Sequence, residues 1–262
     1  MMPVHHIVRG SSPPPLVFVH GFACGHSDWT AQVEHFSTAH QVIAIDLHAH
    51  GQSPAPAKCS IRGLGESVAE LVRTLDLEGA VLVGHSMGCR IVTDAAVRAA
   101  DRVSAAIFVD GSQFAPTMAP VLTEACATPD GYASLTDRWF REMFTSRSDP
   151  ATIAAVVERA GRLPCDVGRQ LLQDMVRYDT QVFETQMSQL KVPVLAIQST
   201  YSDERRERRT MRRGQTTPFL ETLRTRLPSL RIEVIEDTGH FPQIDQPART
   251  NEAIERFLSE LT

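Results

Sequence analysis

Short apolar runs rich in valine and isoleucine alternate with longer amphipathic segments along this chain. Six such runs lie at residues 16–20, 41–46, 80–84, 105–110, 193–198 and 231–235. Continuous apolar runs of this length are typical of strands that a parallel sheet buries on both faces. Apolar residues at helical spacing fill the segments between them, most clearly at residues 60–77, 87–100, 218–227 and 247–261. The alternation therefore predicts an α/β fold, with a mostly parallel central sheet flanked by helices.

Between residues 111 and 190 this rhythm is interrupted. Helical patterns at residues 132–145, 150–162 and 166–178 follow one another there without a convincing buried strand. We therefore predict that residues 1–110 and 191–262 form the core and that residues 111–190 form a helical cap insertion. Its larger apolar side chains either line a pocket or pack the cap onto the sheet; they are Phe114, Met118, Tyr132, Trp139, Phe140, Met143 and Phe144.

The overall composition argues against several classes of function. The chain has 262 residues and a formal net charge of −5, so it carries no general positive charge with which to bind nucleic acid. Its five cysteines are odd in number and include no C-x-x-C pair, which indicates neither a disulfide framework nor a zinc site. No segment approaches the ~18 consecutive apolar residues of a membrane span. We expect a cytoplasmic protein with no metal, no organic cofactor and no membrane partner, and its oligomeric state stays open.

The segment Gly84-His85-Ser86-Met87-Gly88 is a G-x-S-x-G motif between a predicted strand and a predicted helix. In that context the glycines let the chain turn sharply, and the serine projects its hydroxyl at the C-terminal edge of the sheet. The N-terminus of the following helix favours negative charge that develops there. Because a serine hydroxyl is a weak nucleophile near neutral pH, Ser86 needs a base beside it.

With this motif the chain resembles the α/β-hydrolase superfamily, and the resemblance covers nearly the whole sequence. The H-G-F segment at residues 20–22 is similar to the family's H-G-x loop. The resemblance implies an oxyanion hole formed by the backbone N–H groups of Phe22 and Met87. Such a preorganised donor is worth about 3 kcal/mol when an ester carbonyl becomes an alkoxide.

Two further segments are similar to family patterns. Residues 46–53 match the D-x-R-G-H-G-x-S loop, except that His48 and Ala49 stand where arginine and glycine are usual. His240 follows the last apolar run and precedes the C-terminal helical segment, as the family's catalytic histidine does. The resemblance therefore implies that His240 is the base for Ser86.

Two residues are candidates for the acid that orients His240. Asp203 follows the strand after which the family more often places its acid, but it lies late and beside an arginine-rich run at residues 205–213. We interpret that run as solvated surface rather than as an anion site. Asp110 directly ends an apolar run, as the acid does in haloalkane dehalogenases and cofactor-free dioxygenases. We favour Asp110, while its simpler interpretation as a turn-capping residue stays open.

The resemblance implies a carboxylesterase-type serine hydrolase that cleaves a small or medium ester through an acyl-enzyme. The apolar composition of the predicted cap favours an apolar acyl or alkyl part. Three alternatives stay open. Asp110 and the tail at residues 239–245 also resemble the cofactor-free dioxygenases that cleave hydroxyquinolones, and some superfamily members hydrolyse carbon–carbon bonds in diketones. The fold also serves as a ligand receptor.

Overall fold

The computed structural model describes residues 3–203 and 207–261, so Glu204, Arg205 and Arg206 of the arginine-rich run lie outside the described residues. The described residues form nine strands: β1 His6–Arg9, β2 Leu16–Val19, β3 Val42–Ile45, β4 Ala80–His85, β5 Val103–Val109, β6 Val194–Gln198, β7 Thr200–Ser202, β8 Arg208–Thr210 and β9 Leu230–Val234.

Seven of these strands form the central sheet, in the order β1-β3-β2-β4-β5-β6-β9. Every neighbouring pair is parallel except β1 and β3, which are antiparallel. The predicted α/β fold is confirmed. Strand β1 was not predicted, because its four half-exposed or exposed residues at a sheet edge lack a buried strand's apolar run. The short strands β7 and β8 form a separate antiparallel hairpin.

Helices cover both faces of the sheet. They are α1 Thr30–Phe36, α2 Ile61–Thr74, α3 Met87–Arg98, α4 Met118–Ala125, α5 Pro129–Glu142, α6 Pro150–Ala160, α7 Cys165–Gln181, α8 Phe183–Gln189, α9 Pro218–Arg226, α10 Pro242–Asp245 and α11 Pro247–Ser259. Helices α1 and α11 bury Phe36 and Phe257 in the apolar cluster on one face, whereas α2, α3 and α9 contribute to the cluster on the other. Among the described residues, no helix is both long and apolar enough to cross a bilayer.

Several helices begin where the sequence supplies a capping side chain. The hydroxyls of Ser60, Thr128 and Thr217 each accept a backbone N–H of the first turn of α2, α5 and α9, respectively. The Asp149 carboxylate does the same for α6. Such caps satisfy donors that a helix N-terminus otherwise leaves unpaired.

Five helices, α4 to α8, lie between β5 and β6, and residues 111–190 contain no strand. Helix α7 is joined to α3 by a buried ion pair, in which the Arg90 guanidinium donates from Nε to Asp179 Oδ1 at 2.7 Å and from Nη2 to Oδ2 at 2.5 Å. Removing one partner of such a pair would leave a buried, unpaired charge at a cost of several kcal/mol. The division into a core and a cap stays a prediction.

Candidate active site

Ser86 lies in the sharp bend between β4 and α3. Its backbone has φ 53° and ψ −113°, a conformation that L-residues rarely adopt. The bend brings backbone segments so close that only glycine fits on either side of it. A Cβ on Gly84 would lie 2.4 Å from the Gly88 carbonyl oxygen, and one on Gly88 would lie 2.5 Å from the Val19 carbonyl oxygen. This crowding explains both glycines of the motif. The serine itself is partly exposed at the sheet edge.

The structure brings Ser86, His240 and Asp110 together in one hydrogen-bonded chain. Ser86 Oγ lies 2.8 Å from His240 Nε2, and His240 Nδ1 lies 2.6 Å from Asp110 Oδ2. Because an ionised carboxylate can only accept, Nδ1 carries the hydrogen and Nε2 is free to accept from the serine hydroxyl. His240 and Asp110 are almost fully buried. The arrangement can therefore draw the proton from Ser86 as its oxygen attacks.

Asp110 follows β5 directly, and its carboxylate is surrounded by donors. Oδ1 accepts the backbone N–H groups of Ser199 and Thr200 at 2.7 and 2.8 Å, and Oδ2 accepts the Thr200 hydroxyl at 2.5 Å. Burial alone would raise the pKa of this carboxyl, but the His240 hydrogen bond and the nearby charges lower it below the usual value. Asp110 is thus held in the ionised form that orients the imidazole.

His240 is held from the side of α5 as well. Its backbone N–H donates to the Met143 carbonyl at 2.7 Å. The preceding Gly239 packs so tightly that a Cβ there would lie 2.3 Å from the same oxygen. The Phe144 ring stacks on Phe241 with 5.1 Å between centroids. Burial, and then the charge of Arg208, lower the pKa of His240 to about 4, so the imidazole is neutral at neutral pH.

The motif residue His85 supports the base from the other side. Its Nε2–H donates to the His240 carbonyl at 2.7 Å, and the two rings lie 4.8 Å apart. Burial and the neighbouring His240 lower the pKa of His85 to about 3. His85 is therefore neutral and holds the backbone at His240 in place.

Met87 directly follows this serine, and Gly21, which precedes Phe22, lies so close that a Cβ on it would be 3.2 Å from the Ser86 Cβ. Across the described parts of the chain, neither the Phe22 N–H nor the Met87 N–H donates to a protein acceptor. Two buried histidines hold the Phe22 loop: His20 donates from Nδ1 to the Gly21 carbonyl at 2.7 Å, and His50 Nε2 accepts the Ala23 N–H at 3.2 Å. These amides have the donor character that an oxyanion hole needs.

The departure of residues 46–53 from the family pattern has a visible consequence. Ala49 adopts φ 65°, in the left-handed region that favours the glycine usual at this position. His48 is buried and lies with its Nδ1 3.2 Å from the Pro54 carbonyl. The loop is therefore held in place despite the strain at Ala49.

The Asp203 carboxylate makes contacts on the β7–β8 hairpin. It accepts the Glu207 N–H at 2.9 Å and pairs with the Arg209 guanidinium at 2.9 Å. His240 Nδ1 already donates its hydrogen to Asp110. Of the two candidate acids, the structure thus brings Asp110 to the histidine.

One cluster outside this site has the residue types of a metal centre. His5, His26 and Asp46 place a ligand atom each within 4.8 Å of one another. Both imidazole Nδ1 atoms lie 2.9–3.0 Å from the Asp46 oxygens, which also accept the N–H groups of His26 and Gln52. Despite burial, these bonds lower the pKa of Asp46 to about 2. Each group already has a partner, so the cluster braces the loop at residues 46–53.

The large apolar residues of the predicted cap divide into two groups. Tyr132 and Phe140 are buried in the core, which favours packing as their role. The others are partly buried against it, namely Phe114, Met118, Trp139, Met143 and Phe144. Two surface depressions lie away from Ser86. One, of about 560 Å³, lies between residues 57–59 and residues 170–177 of α7. The other, of about 320 Å³, lies between α5 and α6.

Sequence reasoning missed three residues that surround the acid. Ser199 and Thr200 contribute backbone N–H groups, which have no signature in a sequence. Arg208 lies in the run that was interpreted as solvated surface, yet its Nη1 reaches 3.2 Å from His240 Nδ1. No signal in the sequence distinguishes it from the neighbouring arginines.

The chain belongs to the alpha/beta hydrolase family, whose model matches residues 16–253. A curated relative is the dihydrolipoyllysine-residue acetyltransferase component of an acetoin-cleaving system from Cupriavidus necator. It is 28% identical over 176 residues, which are 67% of this chain and 42% of that protein. This chain therefore matches less than half the length of that relative.

Two further relatives match nearly the whole chain. The 3-oxoadipate enol-lactonase 1 of Acinetobacter baylyi is 24% identical over 259 residues, which are 95% of this chain and 90% of that protein. A solved structure of a thermophilic esterase from Thermogutta terrifontis superposes with a TM-score of 0.82 at 21% identity, covering 98% of this chain and 93% of that one. The α/β-hydrolase fold predicted from the sequence is thereby confirmed.

Proposed function

We propose that this protein is a serine hydrolase that cleaves carboxylic esters through an acyl-enzyme. The observation that carries the proposal is the continuous chain from Ser86 Oγ through His240 to Asp110, with contacts of 2.8 and 2.6 Å. Contacts of this length are within proton-transfer reach before any substrate binds. Ser86 is the nucleophile, His240 the general base and Asp110 the acid.

The reaction follows from the positions of these groups. The Ser86 proton passes to His240 Nε2 while Oγ forms a bond to the ester carbonyl carbon, and the carbonyl electrons move to its oxygen. The N–H groups of Phe22 and Met87 stabilise this oxyanion. When the oxyanion collapses, the carbon–oxygen bond to the alcohol breaks and His240 gives the alkoxide its proton. Water then attacks the acyl-enzyme by the same route and releases the acid and Ser86.

The substrate class we propose is a small or medium ester, either open-chain or cyclic. The enol-lactonase of Acinetobacter baylyi acts, by its name, on a lactone, which is a cyclic ester and needs the same attack on a carbonyl. Partly buried apolar side chains of α4 and α5, such as Met118 and Trp139, favour an apolar acyl or alkyl part.

Hydrolysis of p-nitrophenyl acetate and butyrate by the purified protein tests the proposal. We expect turnover by the wild type and its loss in Ser86→Ala, because the remaining groups have no nucleophile to activate. Ser202→Ala, an exposed serine, is the matched control and should behave as the wild type. Equal rates in wild type and Ser86→Ala would overturn the proposal. Oxygen uptake with a 3-hydroxy-4-quinolone in that variant would instead favour the dioxygenase reaction.

A further inference from the structure

Arg208, the first residue of β8, reaches back from its hairpin to the acid end of the triad. Its Nη1 donates to Thr200 Oγ1 at 2.7 Å and lies 3.9 Å from Asp110 Oδ2. Thr200 Oγ1 in turn donates to Asp110 Oδ2, the oxygen that accepts from His240. The arginine side chain is only 22% exposed. A hydrogen-bonded path therefore runs from the guanidinium through one hydroxyl to the carboxylate.

We propose that Arg208 is a positioning residue of the triad, which orients Asp110 through Thr200 and sets the lower pH limit of the reaction. The inference rests on the proposed function, because Arg208 acts on the Asp110–His240 pair rather than on a substrate. Nothing in the sequence pattern or in the family's motifs marks this arginine.

Arg208 orients Asp110 through the direction of the hydrogen bonds that Thr200 makes. A guanidinium only donates, whereas a hydroxyl has one hydrogen and two lone pairs. Arg208 donates to a lone pair of Thr200 Oγ1. The hydroxyl hydrogen therefore points away from Arg208, toward Asp110 Oδ2. Arg208 thus fixes Thr200 as a donor and keeps the carboxylate turned to His240.

Arg208 also comes close to the imidazole of His240. Nη1 lies 3.2 Å from His240 Nδ1, but both nitrogens carry hydrogens, since Nδ1 donates to Asp110. This contact is therefore not a hydrogen bond. A neutral imidazole tolerates it, whereas a protonated one is repelled by a fixed charge at this distance. The arrangement opposes protonation of the free enzyme's base, in the same direction as burial does.

Other charged and titratable groups around the base differ in the direction of their effect on it. Asp110 faces the imidazole from β5 and favours its protonation, in the opposite direction to Arg208. His85, at the end of β4, stays neutral because its pKa is lowered to about 3. Arg90 on α3, which is paired with Asp179, lowers the pKa of His240 in the same direction as Arg208 but less strongly. Glu142 on α5 acts on Arg208 and favours its charged form.

The pH profile of kcat/KM tests the proposal in three variants, measured from pH 4 to 9. Loss of the positive charge in Arg208→Gln raises the pKa of His240, so the base becomes protonated at higher pH. We expect the acid limb of this variant to move up by about one pH unit. Arg208→Lys keeps the charge and should retain the wild-type limb. Arg209→Gln removes the adjacent arginine, which pairs with Asp203 and Glu207, and is the matched control.

An acid limb in Arg208→Gln that coincides with the wild-type limb would overturn the proposal, as would an equal shift in Arg209→Gln. A purely structural role would lower activity or stability without moving the limb. NMR titration of the His240 ring in the same variants needs no substrate, and we expect the same upward shift there. If the wild type cleaves no ester, this titration still decides for or against Arg208, while the proposed function fails separately.

Discussion

The loops that follow β5 and β6 meet at the same edge of the sheet, yet they treat their acidic residues in opposite ways. Asp110, directly after β5, is buried and accepts from Ser199, Thr200 and His240. Asp203, five residues after the end of β6, joins an ion pair with Arg209 on the hairpin surface. The loop after β6 thus provides the donors that hold an acid, and the loop after β5 provides the acid itself.

The two aspartates have the same side chain and differ in where the fold places them. Asp110 is delivered to the edge by a buried strand and has no freedom to turn away. Asp203 lies on a short hairpin whose own arginines offer nearer partners.

Exchanging each aspartate for asparagine gives the largest contrast. We expect Asp110→Asn to lower kcat roughly 10³- to 10⁴-fold, because an amide no longer holds the correct tautomer of His240 or stabilises its imidazolium. Asp203→Asn should change kcat less than about twofold, as expected for an exposed ion pair. Steady-state kinetics on a p-nitrophenyl ester measures both, and the reverse pattern would transfer the role to Asp203.

Thr200→Val removes the hydroxyl that links the two loops. A hydrogen bond to a buried charge is worth about 1.5–3 kcal/mol, so we expect kcat to fall on the order of tenfold or more. Thr210→Val, on the facing strand at the paired position, is the control and should keep nearly full activity. An unchanged kcat in Thr200→Val would mean that the two backbone N–H groups hold Asp110 without help.

Ser199→Ala tests a weaker link, between the loop after β6 and the backbone that precedes His240. Its hydroxyl donates to the Gly239 carbonyl at 2.8 Å, one residue before His240. We expect the free energy of unfolding to fall by about 1 kcal/mol, with a small decrease in kcat. Urea denaturation beside Ser202→Ala measures the difference, and identical midpoints for the two variants would exclude a stabilising role for this bond.

The sequence allowed prediction of the elements that buried apolar runs define. Asp110 could be placed because it ends such a run. Ser86 could be placed because its flanking glycines form a motif between a predicted strand and a predicted helix. The antiparallel strand β1 could not, since its four residues are half-exposed or exposed at the sheet edge. Arg208 could not, because three-residue strands carry no periodicity and only the folded hairpin separates it from Arg209. Two of the donors to Asp110, from Ser199 and Thr200, are backbone N–H groups, which any residue except proline supplies.

The central claim is that the Ser86 hydroxyl is activated by His240 and Asp110. Labelling with a fluorophosphonate followed by peptide mapping tests it most directly, because the reagent reacts with an activated serine. We predict modification of Ser86 in the wild type and strongly reduced labelling in His240→Ala and Asp110→Asn. Labelling at another residue, or undiminished labelling of Ser86 without His240, would contradict the account.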